Sequence, residues 1–383
     1  MPNSIPFYRH QLSDTEVKAA QESLKGDILT SGAICKGVES QLEEYFNVKH
    51  AKLVNSWTNG ALAALMAFEI GPGDEVIIPS MTFIACANIV ELLGATPVFC
   101  DVNPETLLVD ADLIRPHVTD KTRVIMLVHL YGQMCDVKQI RSEFPNPKIK
   151  ILEDCAHSFE SNRDGYQPGQ HSDVAIFSFY ATKNVTCGEG GAIITNDTKL
   201  HESLIQRVLH GMTAGAADRF KTGSYQHWNM NLLGIKANLS DILASLLPSQ
   251  IASADAKLNQ RLELVESYDT AFSSLTLKFP KRLLGAKHAH HLYPIWVPPN
   301  KRDQVLKKFA ECGVGVTVNF RPVHEMNYYA TKYPANLGNF PVSSKWGGGV
   351  LSIPLYPGLT KSDQERIIHV TTHEIEPIII LEE

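Results

Sequence analysis

Apolar residues in the first half of the chain come in short unbroken runs. Seven runs rich in Val and Ile stand out: Ala51–Val54, Glu75–Pro79, Pro97–Cys100, Arg123–Val128, Lys148–Leu152, Val174–Phe179 and Ala192–Thr195. Runs of this length without alternation read as strands buried on both faces. Gly60–Glu69, Cys86–Leu93 and Val137–Phe144 fall between them with helical spacing, and Asp14–Leu24 precedes the first. The alternation predicts an α/β domain with a mostly parallel seven-stranded sheet flanked by helices. Ligands bind beyond the carboxyl ends of such strands, where His129, Asp154 and Ser178 fall.

The second half changes character. Leu200–Leu209 reads as a helix, followed by a loop over Thr213–Trp228 with many Gly, Ala and Ser residues. Lys236–Ala252 and Asp255–Leu275 read as long helices, with Pro248 as a kink or boundary. A strand at His291–Val297, a helix at Lys301–Cys312, a strand at Gly315–Phe320 and a closing helix at Lys361–His373 predict a smaller α+β C-terminal domain. The expected division is 1–250 for a large ligand-binding domain that includes the N-terminal segment, and 251–383 for the small one.

Composition narrows the function. The 383 residues are 20% charged with a net charge of −6, which gives no electrostatic footprint for nucleic acid or an anionic membrane. Pro377-Ile378-Ile379-Ile380-Leu381 is too short to span a bilayer. Met1-Pro2-Asn3-Ser4 does not open a basic-then-apolar leader, so no signal peptide is expected. Seven cysteines without a CxxC pair predict reduced thiols in a cytoplasm and no metal site.

The candidate chemistry centres on Lys183, in Ser178-Phe179-Tyr180-Ala181-Thr182-Lys183-Asn184 just past an apolar run. A lysine that attacks a carbonyl to form a Schiff base must first lose a proton, so it needs a desolvated or positively charged setting. Asp154 ends the run Ile149–Asp154 and places a carboxylate at a strand tip, where it can protonate a pyridine nitrogen. His157 follows three residues on. Asn55-Ser56-Trp57-Thr58-Asn59-Gly60 opens a helix, where backbone amides and polar side chains can cradle a phosphate. Ser178 is a further phosphate candidate, and Phe83 is placed to stack on a flat ring. Each residue alone also fits a plain cap or core position; together they describe a pyridoxal phosphate (PLP) site.

Several blocks in one order carry a resemblance. They are Leu29-Thr30-Ser31-Gly32, Gly71-Pro72-Gly73-Asp74-Glu75-Val76-Ile77, Val128-His129-Leu130-Tyr131-Gly132-Gln133, Glu153-Asp154-Cys155-Ala156-His157, the Lys183 block, and Gly188-Glu189-Gly190-Gly191. From Asn3 to about Leu381 the chain resembles the DegT/DnrJ group of PLP-dependent nucleotide-sugar aminotransferases. The resemblance implies fold type I and a homodimer with shared active sites. It assigns Lys183 the Schiff base, Asp154 the pyridine nitrogen, and Thr58, Asn59 and Ser178 the phosphate. Phe83 and His157 flank the ring. Lys236 or Asn238 reaches the neighbouring subunit's phosphate, and Ser31, Tyr180, Arg321 and His324 stand on the substrate side.

Within that group, Thr186-Cys187-Gly188-Glu189-Gly190-Gly191 is similar to enzymes acting at C4 of a keto sugar, whereas C3 enzymes carry a Gly-Asp-(Gly/Ala)-Gly type of loop there. Gly234–Asp241 resembles the aminoarabinose-forming branch, with Ala237 in place of its aromatic residue. Asn319 and Ala33 stand where many members have His and Pro. The implied reaction moves an amino group from L-glutamate to C4 of a nucleotide-linked 4-keto sugar, releasing 2-oxoglutarate. The alternatives are C3 transfer and a non-catalytic PLP-binding regulatory relative. A PLP sugar dehydratase typically carries His in place of the lysine, so Lys183 argues against it.

Overall fold

The structure is a computed structural model that describes residues 4–213 and 227–380. All seven apolar runs form one sheet: β1 (His50–Val54), β2 (Glu75–Pro79), β3 (Thr96–Cys100), β4 (Thr122–Val128), β5 (Lys150–Asp154), β6 (Val174–Ser178) and β7 (Gly191–Thr195), in the order β1-β7-β6-β5-β4-β2-β3. The ladders from β3 through β6 are parallel, and β7 runs antiparallel to both β6 and β1. Residues alternate between the two faces, so Val174 and Ile176 of β6 enter one core and Ala175 and Phe177 the other. Two apolar faces explain why the strands carry unbroken apolar runs.

The helices expected from Asp14 to Leu209 form, with small shifts at their ends. Ser13 and Glu16 close a reciprocal cap on Asp14–Leu24. A further helix, Ala33–Phe46, buries Cys35, Val38, Leu42 and Phe46 against the second core. The long helix expected at Lys236–Ala252 is absent. Residues 236–240 are extended instead, with Asn238 bridged to Val54, and only Asp241–Ala244 and Pro248–Ala252 are helical. Ser240 caps the first of these and Pro248 starts the second, so the chain is divided where its residues favour a helix start. The loop expected over Thr213–Trp228 lies, for 214–226, outside the described residues.

A second sheet pairs β8 (Tyr293–Trp296) antiparallel with β9 (Val350–Ile353). The strand expected at Gly315–Phe320 is replaced by one bridge, Thr317 to Ser352. Around this sheet a third core gathers Tyr268 and Phe272 of the helix Ala254–Phe272, with Phe309, Ile367 and Ile5. The N-terminal segment thus packs on the smaller sheet through Ile5, which bridges to Val314. Among the described residues no helix is long and apolar enough to cross a membrane.

Candidate active site

The carboxyl ends of β4, β5 and β6 open onto a cavity of about 530 Å³. Asp154, the last residue of β5, is held in ladder between Val128 and Ile176. Its Oδ1 accepts the Ala156 N–H at 3.0 Å, and its Oδ2 accepts the Cys86 thiol at 3.5 Å. Burial pushes its carboxyl above the usual range, against the pull of the Ala156 N–H and Lys183. His129, also on the wall, is committed elsewhere. Its Nε2 lies 2.7 Å from Glu153 Oε2 and its Nδ1 accepts the Cys135 N–H. Cys155 lies close by, but Glu153 is already satisfied by His129, Gly169 N–H and Ser172 Oγ. That arrangement reads as a hydrogen-bonded brace for β5.

After β6 the chain folds back on itself. Phe179 N–H bonds Gly190 O at 2.8 Å, Cys187 N–H bonds Phe179 O at 3.0 Å, and Lys183 N–H bonds Tyr180 O at 2.9 Å. The Gln250 side chain clamps Thr186 from both sides, accepting its N–H at 3.1 Å and donating to its carbonyl at 2.7 Å. This closed loop holds Lys183, half-buried, on the cavity wall. Crowding by protein atoms lowers its ammonium pKa to about 8, with Asp154 opposing the shift. At pH 7 roughly a tenth of such an amine is neutral, hundreds of times more than for an unperturbed lysine. Capture of an aldehyde by Lys183 should therefore speed up as pH rises through about 8 and level off above it. Stopped-flow absorbance with PLP across that range measures this, and a rate still climbing towards pH 10 would contradict it.

The helix Trp57–Ala67 starts at the same cavity. Ser56 caps it: Oγ accepts the Asn59 N–H at 3.1 Å and the backbone carbonyl accepts that of Gly60 at 3.0 Å. The first-turn amides of Trp57 and Thr58 have no acceptor among the described residues, and both residues line the cavity. Gly191 brings β7 against this helix start. A Cβ there would lie 2.6 Å from Phe177 O and 3.0 Å from both Ser56 C and Trp57 N. Gly191→Ala should cost about 1–3 kcal/mol by overpacking and displace the helix mouth. Chemical denaturation and a PLP titration of the variant test this, and unchanged values in both would contradict it.

Nearly the whole chain then matches one family. The DegT/DnrJ/EryC1/StrS aminotransferase profile covers residues 10–372. The chain belongs to that family. Solved structures agree over nearly the full length. Spr1654 of Streptococcus pneumoniae, described as a sugar aminotransferase, superposes in its apo form with a TM-score of 0.90 at 26% identity, covering 98% of this chain and 97% of that one. It has also been solved in PMP and PLP forms. DesV of S. venezuelae, solved with a ketimine intermediate, gives 0.88 at 28% identity with 100% of both chains covered. PseC of Helicobacter pylori, an aminotransferase of pseudoaminic acid biosynthesis, gives 0.89 at 25% identity over 97% and 98%. These neighbours place the chain in the fold-type-I class.

Of the expected site residues, this family member brings Lys183, Asp154, His157, Thr58, Phe83, Ser178 and Tyr180 onto one cavity. His157 is buried, its Nδ1 accepting the Tyr131 N–H at 3.2 Å, and burial holds its pKa well below normal, so the ring is neutral. The other six do not line that cavity. The Asn59 side chain turns back to Asn55 Oδ1 at 2.9 Å. Ser31, Lys236 and Asn238 form a separate cluster, with Asn238 Nδ2 donating to Ser31 Oγ at 2.7 Å and Lys236 Nζ reaching Asn238 Oδ1. Arg321 is exposed.

His324 also lies off the cavity, fully buried between Ser80 Oγ at 2.5 Å and Ser344 Oγ at 3.3 Å and against Phe340. Residues missed in the sequence also line the wall, namely Phe7 and Tyr8, Thr82 and Cys86, His291 and Phe320, and Asn319, singled out in the sequence, joins them. Phe320 faces His157 at 5.8 Å and Phe83 at 5.8 Å. Thr82 and Cys86, either side of Phe83 just beyond the end of β2, had a local signal; the rest arrive from distant segments.

Proposed function

We propose that this chain transfers an amino group from L-glutamate to C4 of a nucleotide-linked keto sugar, using PLP. The carrying observation is a lysine with an amine pKa of about 8 sharing one cavity with a strand-end carboxylate and an open helix start. Those three features fit PLP without rearrangement. The unfilled amides of Trp57 and Thr58, with the Thr58 and Ser178 hydroxyls, suit a phosphate. Asp154 suits a protonated ring nitrogen, and the flat faces of Phe83 and His157 suit the ring itself. When bound, PLP supplies an electron sink that lets an amino group pass between carbon skeletons. Lys183 provides the nucleophile and then carries a proton as base and acid. Asp154 suits a positive charge on the ring nitrogen, and Phe7, Phe83, Phe320 and Leu355 give the cavity an apolar wall.

The similarity of Thr186–Gly191 to C4 enzymes supports the position of transfer, and the sugar-related descriptions of Spr1654 and PseC support the substrate class. The separate cluster of Ser31, Lys236 and Asn238 supports a homodimer in which it serves the site of a second copy. The seven unpaired cysteines support a cytoplasmic setting. The test is a glutamate-dependent assay over nucleotide 4-keto and 3-keto sugars, with the new amine located by NMR. The expected product is a 4-amino sugar with one 2-oxoglutarate released per turnover. A 3-amino product would establish the C3 alternative, and cofactor binding without release of 2-oxoglutarate would establish the regulatory one.

A further inference from the structure

A second, smaller cavity of about 20 Å³ adjoins Lys183, and Tyr8, Thr182, His291 and Leu355 are further residues that it shares with the first. Arg9, Lys257 and Arg261 also line it, whereas no Asp or Glu does. Arg261 is 1% exposed. Its Nε donates to Ala289 O at 3.2 Å and its Nη2 to Glu160 Oε1 at 2.6 Å. Those two nitrogens share one edge of the flat guanidinium, so Nη1 is the corner left over. Nη1 is buried and has no partner among the described residues. A buried charged N–H without an acceptor bears its whole desolvation cost.

Lys257 stands four residues before Arg261 on the helix Ala254–Phe272, so the two side chains share a face. It is half-buried, and its amine has no hydrogen bond or ion pair among the described residues. The acids nearest to it are Glu16 and Glu160, and both are engaged elsewhere. Glu16 accepts from Ser249 through Oε1 and from the Ser13 N–H through Oε2. Glu160 gives its second oxygen to Asn184 Nδ2 at 2.8 Å. Donors therefore outnumber acceptors around this pocket, and positive charge exceeds negative.

We propose that the pocket is a small-anion site, with Arg261 Nη1 and the Lys257 amine as its donors. Its volume has room for one chloride or for the head of one carboxylate. Such an anion has two sources. One is a dissolved halide. The other is a carboxylate of the amino donor, and that source rests on the proposed function. Lys183 is the only lysine or arginine lining the larger cavity, so a dicarboxylate bound there finds its next cations in the smaller one.

The experiment uses PLP-loaded wild type, Lys257→Gln and Lys257→Arg. Melting temperature is followed as sodium chloride replaces sodium HEPES at fixed pH and ionic strength. Calorimetry then measures glutarate, which has the carboxylates of glutamate without its amine. For a halide, the wild type should gain about 2 °C in chloride, Lys257→Arg should keep the gain, and Lys257→Gln should lose it. For a donor carboxylate, glutarate should bind roughly tenfold more weakly to Lys257→Gln and compete with chloride in the wild type. A gain in chloride that is absent or equal in wild type and Lys257→Gln, with glutarate affinities within twofold of each other, overturns the proposal. A wild-type protein that captures no PLP would overturn the proposed function instead, and the chloride measurement on cofactor-free protein would still decide the site.

Discussion

Lys183→Ala should lose turnover by at least about 10⁴-fold, because nucleophile and proton carrier are removed together. The loss should fall on kcat rather than on sugar affinity, since no sugar contact is assigned to the amine. An added small primary amine should restore part of the rate if the remaining cavity is intact. The geometry supports this outcome over a purely structural role, because the Lys183 loop is held by backbone bonds and the Gln250 clamp, none of which uses the lysine amine. Steady-state assay, circular dichroism and amine rescue of the variant together measure it. A variant retaining more than a few per cent of wild-type kcat would remove Lys183 from the chemistry.

The second large effect concerns stability. Arg261→Met should cost about 3–5 kcal/mol, because it leaves the Glu160 carboxylate buried with one neutral donor, Asn184. Arg261 is imperfectly satisfied itself, since its Nη1 has no partner among the described residues. Much of the cost therefore comes from the stranded acid rather than from the worth of the pair. The double variant Arg261→Met with Glu160→Leu should recover most of the loss, as both charges then leave the interior. Urea denaturation of the cofactor-free protein gives the cycle. A double variant no more stable than Arg261→Met alone would contradict the stranded-acid account.

The large sheet was legible because strands buried on both faces leave a continuous apolar record, and β1 to β7 all follow it. Lys183 and Asp154 were legible because strand ends fix where a parallel sheet presents its ligands. The helix Ala33–Phe46 was also recorded, in the spacing of Cys35, Val38, Leu42 and Phe46, but four charged residues and a glycine interrupt its apolar pattern. β9 was hidden for a different reason: four buried residues between a glycine triplet and Pro354 are too few to show a period. Lys236–Ala252 was misread because good helix formers there are overridden by the bridge between Asn238 and Val54, a tertiary contact.

The site divides in the same way. Residues next to the sheet ends could be placed from local sequence. His324 could not, because a histidine in a loop carries no sign of whether it meets a cavity or two serines. His291 lies 107 residues from the Asn184 that orients it, and only the folded chain brings them together. Phe7 and Tyr8 reach the cavity because Ile5 anchors the N-terminal segment to the smaller sheet.

The central claim is that Lys183 is the amine that captures the cofactor, and borohydride reduction of the PLP-treated protein followed by peptide mapping tests it most directly. The account predicts a phosphopyridoxyl group on Lys183 and on no other lysine. An adduct on a different lysine, or none at all, would contradict it.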